Sequence, residues 1–175
     1  STIFYKQRFF EHVFPMLNNT LKMRDDEIRP YIVKAIMFLA KHTTASTLLA
    51  HADSVLPLVL EAISSDDIES CIVSLNTCSI IVAENLNLMK EHVDTIIPRV
   101  LDLTRETLNK NPFHRVSALD ILLELLRLPY LCIHKFKATV LDVLGKSIDD
   151  TSRIVRRKAV KVRNEWFVVN GEDQF

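Results

Sequence analysis

The sequence contains only two glycines, Gly145 and Gly171, among its 175 residues. Glycine supplies the positive backbone angles of tight hairpin turns and permits the close backbone approach that phosphate-binding loops need. A chain with so few glycines has little material for hairpins, phosphate loops or strained catalytic turns. The scarcity of glycine therefore favours an all-α fold.

Cysteine is also scarce, and its spacing argues against a metal site. Cys71, Cys78 and Cys132 are odd in number, have no Cys-x-x-Cys spacing and lie in apolar runs, so we expect unpaired buried thiols in a reducing compartment. Cys71 and Cys78 share a helix face, but seven residues of helix separate them by roughly 10 Å, which is too far to hold one ion. We expect no cofactor and no metal.

Long apolar runs and an excess of one charge are missing as well. No segment has eighteen uncharged apolar residues, and the start "STIFYKQRFF" lacks the pattern of a secretory signal. With 22 basic and 22 acidic residues, the chain as a whole is no electrostatic ligand for nucleic acid or anionic lipid. The 48% hydrophobic content is ample for a core. We therefore expect a soluble intracellular protein with no membrane contact.

An internal repeat is the strongest organisational signal that is present. "VFPML" at 13–17, "VLPLV" at 55–59 and "IIPRV" at 96–100 place Pro15, Pro57 and Pro98 in one apolar context, 42 and 41 residues apart. A period near 40 built from two helices is typical of HEAT and armadillo repeats, whose helix pairs bury their apolar faces against neighbouring pairs. The sequence predicts an all-α solenoid of about four two-helix repeats.

We expect one array over residues 1–169, with repeats at 1–44, 45–86, 87–128 and 129–169 and a tail at 170–175. Each proline should lie midway along a first helix as a tolerated bend, and Thr139 or Val140 replaces it in the fourth repeat. Polar turns should cap the second helices; these are "RDDE" at 24–27, "SSDD" at 64–67, Asn111-Pro112 and "SIDDTS" at 147–152.

Apolar residues at three- and four-residue steps agree with this organisation. They form two sets, namely Ile28, Ile32, Ala35 and Leu39, and Val116, Leu119, Leu123 and Leu126. Such spacing predicts the apolar faces of two amphipathic helices.

Residues that could support chemistry are interpreted structurally. His51, His92 and His134 open first helices at one register, but packed helices lie about 8 to 10 Å apart and zinc binds nitrogen at about 2 Å. Acids in the turns, namely Asp25, Asp26, Glu27, Asp66 and Asp67, have no glycine loop, nucleophile or partner histidine beside them and are expected to cap helices. The sequence therefore predicts a chain without enzymatic activity.

The charge is unevenly distributed along the chain. Residues 131–169 carry nine basic and four acidic side chains, whereas residues 1–130 carry thirteen and sixteen. Six of the nine lie within 153–163, namely Arg153, Arg156, Arg157, Lys158, Lys161 and Arg163. The last quarter of the chain is therefore basic, with a net charge of about +5.

A helix over this segment would have one apolar stripe formed by Val155, Ala159, Val162 and Trp166. With Trp166 and Phe167 it is expected to cap the array, and Arg156 should pair with an acid in a neighbouring turn. The remaining cations have three possible roles: a solvated face, a docking surface for a protein partner, or a nucleic-acid contact. Of these cations, Arg153, Arg157, Lys161 and Arg163 are our candidates for partner binding.

The C-terminal segment carries a more specific similarity. "LGKSIDDTSRIVRRKAVKVRNEWFVVNG" at 144–171 resembles the C-terminal end of the MMS-nineteen nucleotide excision repair family, large HEAT-repeat proteins that end on a "VRK.AV" helix followed by "R.EWF". The matching positions are Val155, Arg156, Ala159, Val160, Arg163, Glu165, Trp166 and Phe167. "HVDTIIPRVLDL", "ALDILLELLRLP", "QRFFEHVFPML" and "EIRPYIVKAI" extend the similarity over essentially the whole chain. Arg157 replaces a lysine of the pattern, and the turn in "TRETLNKNPFH" is longer than the equivalent turn.

This resemblance implies a scaffold of the cytosolic iron–sulfur assembly targeting complex, working in the cytoplasm and nucleus. It implies docking of the small cluster-carrier subunit by the C-terminal repeats, a WD40 propeller as third member, and apo-proteins of DNA replication and repair as clients. The chain itself would hold no cluster, which needs about four thiolates. A nucleic-acid-binding or general protein-interaction solenoid is the alternative.

Overall fold

The computed structural model describes residues 2–23 and 26–171, and these residues form helices and turns without any strand. Ten α-helices are present: α1 (Thr2–Thr20), α2 (Arg29–His42), α3 (Ala45–Ala50), α4 (Ala52–Ile63), α5 (Ile68–Glu84), α6 (Val93–Leu103), α7 (Pro112–Leu125), α8 (Tyr130–Ile133), α9 (Lys137–Ser147) and α10 (Arg153–Val168). Two 3-10 segments, Leu86–His92 and His134–Phe136, precede α6 and α9. The predicted all-α class is confirmed.

Eight of these helices follow the predicted order of first and second helices: α1 with α2, α4 with α5, α6 with α7, and α9 with α10. The two members pack extensively against each other in the first, third and fourth of these pairs. Pro15, Pro57 and Pro98 lie inside α1, α4 and α6, as expected of first helices, and all three are exposed. Helix pairs of this kind are consistent with an α-solenoid. The HEAT or armadillo type, and the single array with its four repeat boundaries, remain predictions.

The chain divides into two compact units, and the division falls within α5 between Ile80 and Ile81. In the first unit, α2 packs against both α1 and α4. Phe10 and Phe14 of α1 stack at 5.1 Å between ring centroids, and they contact the ring of His51, which directly precedes α4. His51 is thus a boundary residue, as predicted, and the structure also places it in an aromatic cluster.

In the second unit, α7 packs against α6 and α10, and α10 also packs against α9. Ala118, Ile121 and Leu122 of α7 are buried, as are Ile96 and Val100 of α6. No single helix of the described residues has the length and hydropathy of a transmembrane segment. Helix α5 and the stretch Leu86–Leu103 have them when taken together, but a bend of 116° separates the two.

Among the described residues, two of the four turns cap their second helix through a side chain, and two do not. Asn111 Oδ1 accepts a hydrogen bond from the Phe113 amide at 2.9 Å at the start of α7, and Asp67 accepts from Ser70 N at 3.1 Å at the start of α5, as predicted. The prediction that acids of "RDDE" cap α2 is wrong for Asp26 and Glu27. The N-cap of α2 is Ile28, and its side chain makes no capping hydrogen bond. Asp25 lies outside the described residues. Ser152 begins α10 without a side-chain cap.

The two apolar stripes read from the sequence have the right period but the wrong phase. The core face of α2 consists of Val33, Ile36, Met37 and Ala40, whereas Ile28 and Ala35 are exposed. In α7, Leu119 is buried as predicted, but Val116, Leu123 and Leu126 are only half-buried. Both helices carry apolar residues on more than one face, so periodicity alone could not identify the face that packs.

Candidate partner-binding surface

Helix α10 is anchored by the stripe that its sequence predicts. Val155, Ala159, Val162 and Trp166 are completely buried, and the indole Nε1 of Trp166 donates a hydrogen bond to the Leu122 carbonyl at 3.0 Å. Buried indoles generally need such a partner, and here α7 supplies it. The opposite side of α10 is thereby fixed toward solvent.

Phe167 does not belong to this buried cap. Its side chain is 64% exposed, although Trp166 beside it is fully buried. Successive residues of an α-helix point about 100° apart, because 3.6 residues make a turn, so a neighbour of a core residue can face water. The prediction that both aromatics close the core is wrong for Phe167.

Arg156 has a structural role, but its partner is not the acid that we expected. Its Nη1 donates to the carbonyl oxygens of Asp150 at 2.8 Å and Thr151 at 2.9 Å, in the turn before α10. The carboxylate of that turn, Asp150, binds Arg115 Nη2 instead, at 2.9 Å, and both side chains are almost fully buried. Two arginines thus hold this turn: Arg156 binds its main-chain carbonyls, and Arg115 binds the Asp150 carboxylate.

Arg115 is the structural residue that sequence reasoning missed. Besides Asp150, it donates from Nη1 to the Asn109 carbonyl at 2.8 Å, and Asn109 Nδ2 donates to the Leu103 carbonyl at 2.9 Å. These bonds fix the long turn between α6 and α7. The sequence signal for this role was the position of Arg115, three residues before Ala118 and four before Leu119. This spacing puts a charged side chain on the core side of α7. Removing one partner of such a buried pair leaves an uncompensated charge.

Most cations of the basic segment have partners. Lys135 pairs with Asp94 at 2.6 Å, Lys146 with Asp142 at 3.7 Å and Lys158 with Asp120 at 2.7 Å, while Lys137, Arg156 and Arg163 donate to main-chain carbonyls. Arg163 is half-buried and reaches the Leu141 carbonyl at 3.2 Å. This candidate for partner binding therefore also connects α10 to α9.

Three cations are left without such contacts. Arg153, Arg157 and Lys161 are exposed, and within residues 2–23 and 26–171 their side chains form no hydrogen bond or ion pair. They follow one another at four-residue steps, which places them about 6 Å apart along the outer side of α10. Because no acid occupies the first turn of α10, the positive end of its helix dipole adds to the field of Arg153 in that turn.

A shallow hollow of about 310 Å³ lies beside these cations, lined by Ile154, Arg157, Lys158 and Lys161. Ile154 is its only apolar member and is 43% exposed. We call this site the Ile154 hollow. Sequence reasoning overlooked Ile154, since it adjoins the buried Val155 and its exposure depends on how α10 is rotated.

The candidate metal and catalytic residues do not converge. Among the described residues, no group of three or more His, Cys, Asp or Glu side chains is placed to hold a metal ion. Cys71 and Cys78 are buried as predicted, and burial raises the pKa of the Cys78 thiol to about 12. Cys132 is only half-buried, which corrects our expectation for it. His92 directly precedes α6, whereas His134 lies three residues before α9.

Asp67 shows how a turn acid is used instead. Ser70 Oγ donates to its carboxylate at 2.6 Å, and Lys34 Nζ lies 3.1 Å away while also pairing with Glu69. These contacts, the Ser70 hydroxyl first, lower the pKa of Asp67 to about 2. The carboxylate therefore serves as an ionised helix cap of α5.

The first unit has a different kind of surface. A groove of about 580 Å³ runs between the outer sides of α1 and α2, and it is mainly apolar; Tyr5, Phe9, Val13, Leu17, Ala35, Phe38 and Leu39 line it, with Thr2, Lys6, His42 and Thr43. We call it the α1–α2 groove. Two residues of the apolar stripe predicted in α2, Ala35 and Leu39, line this groove rather than the core.

Comparison with known proteins gives a consistent family. The family model described as RNAPII transcription regulator C-terminal, MMS19_C, matches residues 1–126. The chain is 31% identical over 170 residues to the MMS19 nucleotide excision repair protein homolog of Homo sapiens, and 29% identical over 176 residues to that of Dictyostelium discoideum. It is 26% identical over 167 residues to the DNA repair/transcription protein mms19 of Schizosaccharomyces pombe.

Each of these alignments covers 95% of the chain but only 16% of the relative. The chain therefore spans about a sixth of the length of the relatives that it matches. The family model covers well over half of the chain, and the similarity to the relatives extends into α10. The chain belongs to the MMS19 family and corresponds to a C-terminal part of it.

Proposed function

We propose that this chain is a non-enzymatic adaptor region of the cytosolic iron–sulfur protein assembly targeting complex. In this role it binds the cluster-carrier subunit, together with the WD40 propeller subunit, and helps to deliver clusters to apo-proteins of DNA replication and repair in the cytoplasm and nucleus. The clusters are cargo of the complex and are not held by this chain.

The observation that carries the docking part of this proposal is the unpaired basic face of α10. Arg153, Arg157 and Lys161 are exposed on a helix whose other side is anchored by Trp166. Solvent-exposed arginines are common anchors of protein interfaces, and complementary charge speeds the encounter with an acidic partner. Arg163 adds less to this surface, because its Nε already binds the Leu141 carbonyl.

Family membership supports the biological part. The relatives are named as nucleotide excision repair or DNA repair/transcription proteins, which fits delivery of clusters to DNA-processing enzymes. The resemblance of the segment 144–171 to the family's C-terminal end supports the assignment of carrier docking to this region. The helix pairs themselves are suited to extended protein contacts.

The test is a pull-down of carrier and propeller proteins by the purified chain. We expect the wild type to retain the carrier and the double variant Arg157→Glu, Lys161→Glu to lose it, with unchanged helicity and melting temperature. Lys146→Glu is the matched control, because Lys146 is an exposed cation of α9 with only a local partner, Asp142.

Two results would contradict the proposal. Failure of the wild type to bind either protein would remove the adaptor role. If the double variant kept the carrier but lost an affinity for mixed-sequence DNA that falls steeply with salt, the basic face would be a nucleic-acid contact.

A further inference from the structure

The Ile154 hollow differs chemically from the rest of the basic face. Arg157 and Lys161 stand on its rim without partners among the described residues, whereas Lys158 is neutralised by Asp120 at 2.7 Å. Its uncompensated charge is therefore two cations beside one exposed apolar side chain. A ligand that fits must bring negative charge and a nonpolar group together.

This combination discriminates between classes of anionic partner. A nucleic-acid backbone presents phosphates and sugars, and its binding depends mainly on the number of cations that it meets. A protein segment can place an apolar side chain between carboxylates. Burial of Ile154 against that side chain then adds a hydrophobic contribution to the binding free energy that a backbone phosphate cannot supply. Interface anchors lie in desolvated pockets that surrounding contacts shield from water.

We propose that the Ile154 hollow receives an acidic protein segment, which packs one apolar side chain on Ile154 and sets carboxylates against Arg157 and Lys161. The inference rests on the proposed adaptor function and specifies the chemistry of the partner at that surface. Arg153, about 6 Å beyond Arg157 along the helix, extends the contact to a further carboxylate. Arg156 and Lys158 remain structural, since each already has a partner.

The chain offers a closely matched pair of variants for the test. Ile154 and Val160 are β-branched residues of the same helix, 43% and 42% exposed, but only Ile154 lines the hollow. Ile154→Ser and Val160→Ser should therefore have similarly small effects on stability. Any difference between them in binding reports the hollow itself.

The probes are a short peptide of glutamate and serine with one central leucine, the same peptide with serine in place of the leucine, and a mixed-sequence DNA duplex. We expect the leucine peptide to bind, and Ile154→Ser to weaken it about tenfold. Val160→Ser should leave its affinity unchanged, and Arg157→Glu with Lys161→Glu should abolish binding. The serine peptide should bind about as weakly to wild type as the leucine peptide binds to Ile154→Ser.

No binding of the leucine peptide, equal binding of both peptides, or equal effects of Ile154→Ser and Val160→Ser would overturn the proposal. Displacement of the leucine peptide by DNA, with DNA affinity independent of Ile154, would also overturn it in favour of a phosphate contact. Carrier pull-down with the same variants separates this inference from the proposed function. If the carrier binds wild type and Ile154→Ser equally, the adaptor role stands and the proposed role of the Ile154 hollow is wrong. If the leucine peptide binds but the carrier does not, the proposed role of the hollow stands and the adaptor role is wrong.

Discussion

The outer sides of the first and the last helix pairs have opposite chemistry. The α1–α2 groove exposes Tyr5, Phe9 and Phe38, whereas the outer side of α10 exposes Arg153, Arg157 and Lys161. The surface of α10 is therefore charged and solvated, whereas the surface between α1 and α2 is mainly apolar.

This comparison separates two uses of apolar residues. In α10 the buried apolar residues form one stripe, and Ile154, Val160 and Phe167 are exposed outside it. In α2 they form a core face and a second face that lines the groove. Helix α10 packs against α7 and α9 with its stripe buried, whereas the second apolar face of α2 borders the open α1–α2 groove.

The largest effect should come from Trp166, which tests whether α10 is held by its buried stripe. Trp166→Ala removes a fully buried indole and leaves the Leu122 carbonyl without its donor. We expect a loss of about 3 to 5 kcal/mol in the free energy of unfolding, measured by chemical denaturation. Phe167→Ala is the control and should change it by less than about 0.5 kcal/mol, because Phe167 is exposed. Equal losses would show that the C-terminal end packs differently.

The next effect concerns the buried ion pair of Arg115 and Asp150, which fixes the turn before α7 and the turn before α10. Arg115→Met leaves the Asp150 carboxylate buried and uncompensated, and should cost about 3 kcal/mol in unfolding free energy. Adding Asp150→Asn should recover part of that loss, because the unpaired charge is then gone. In a double-mutant cycle, the double variant should lose less unfolding free energy than the two single variants lose in sum. Equality of the two would contradict a direct interaction between Arg115 and Asp150.

A smaller effect is expected at the cap of α5. Asp67→Ala should cost about 1 kcal/mol at neutral pH, since the carboxylate accepts from Ser70 N. The folded-state pKa of Asp67, about 2, lies below its unfolded value near 3.8, so this stabilisation is complete above about pH 4 and is lost as the pH falls through 2. Denaturation curves of wild type and variant between pH 2 and 7 check this; a constant difference would be inconsistent with the lowered pKa.

The smallest effect on stability should come from the α1–α2 groove, where the comparison is most direct. Phe9→Gln replaces a half-exposed ring that lines the groove and should change unfolding free energy by less than about 0.5 kcal/mol. It should nevertheless reduce the fluorescence of a bound apolar dye such as anilinonaphthalene sulfonate. Val160→Gln, on the polar outer side of α10, should leave that fluorescence unchanged. Equal responses would remove the contrast between the two surfaces.

Local rules in the sequence were sufficient for the eight longer helices and their order, but they did not predict the short helices α3 and α8 or the two 3-10 segments. Scarce glycine, the spacing of the three prolines and the polar turns predicted an all-α chain of successive helix pairs, and the stripe of Val155, Ala159, Val162 and Trp166 predicted the buried side of α10. Apart from the spacing of the prolines, these features depend on residues within one helix or one turn, where a period of 3.6 fixes which side chains share a face.

The tertiary structure alone decided which apolar face of α2 lies in the core and which cations are unpaired. Lys158 is paired by Asp120, 38 residues earlier in the chain, and Asp150 is taken by Arg115 rather than Arg156. Partners so distant in sequence meet only after the helices have packed, because no local periodicity specifies the distance between two side chains on different helices. The sequence therefore determined that the last helix is basic, and the packing determined which three of its charges remain available.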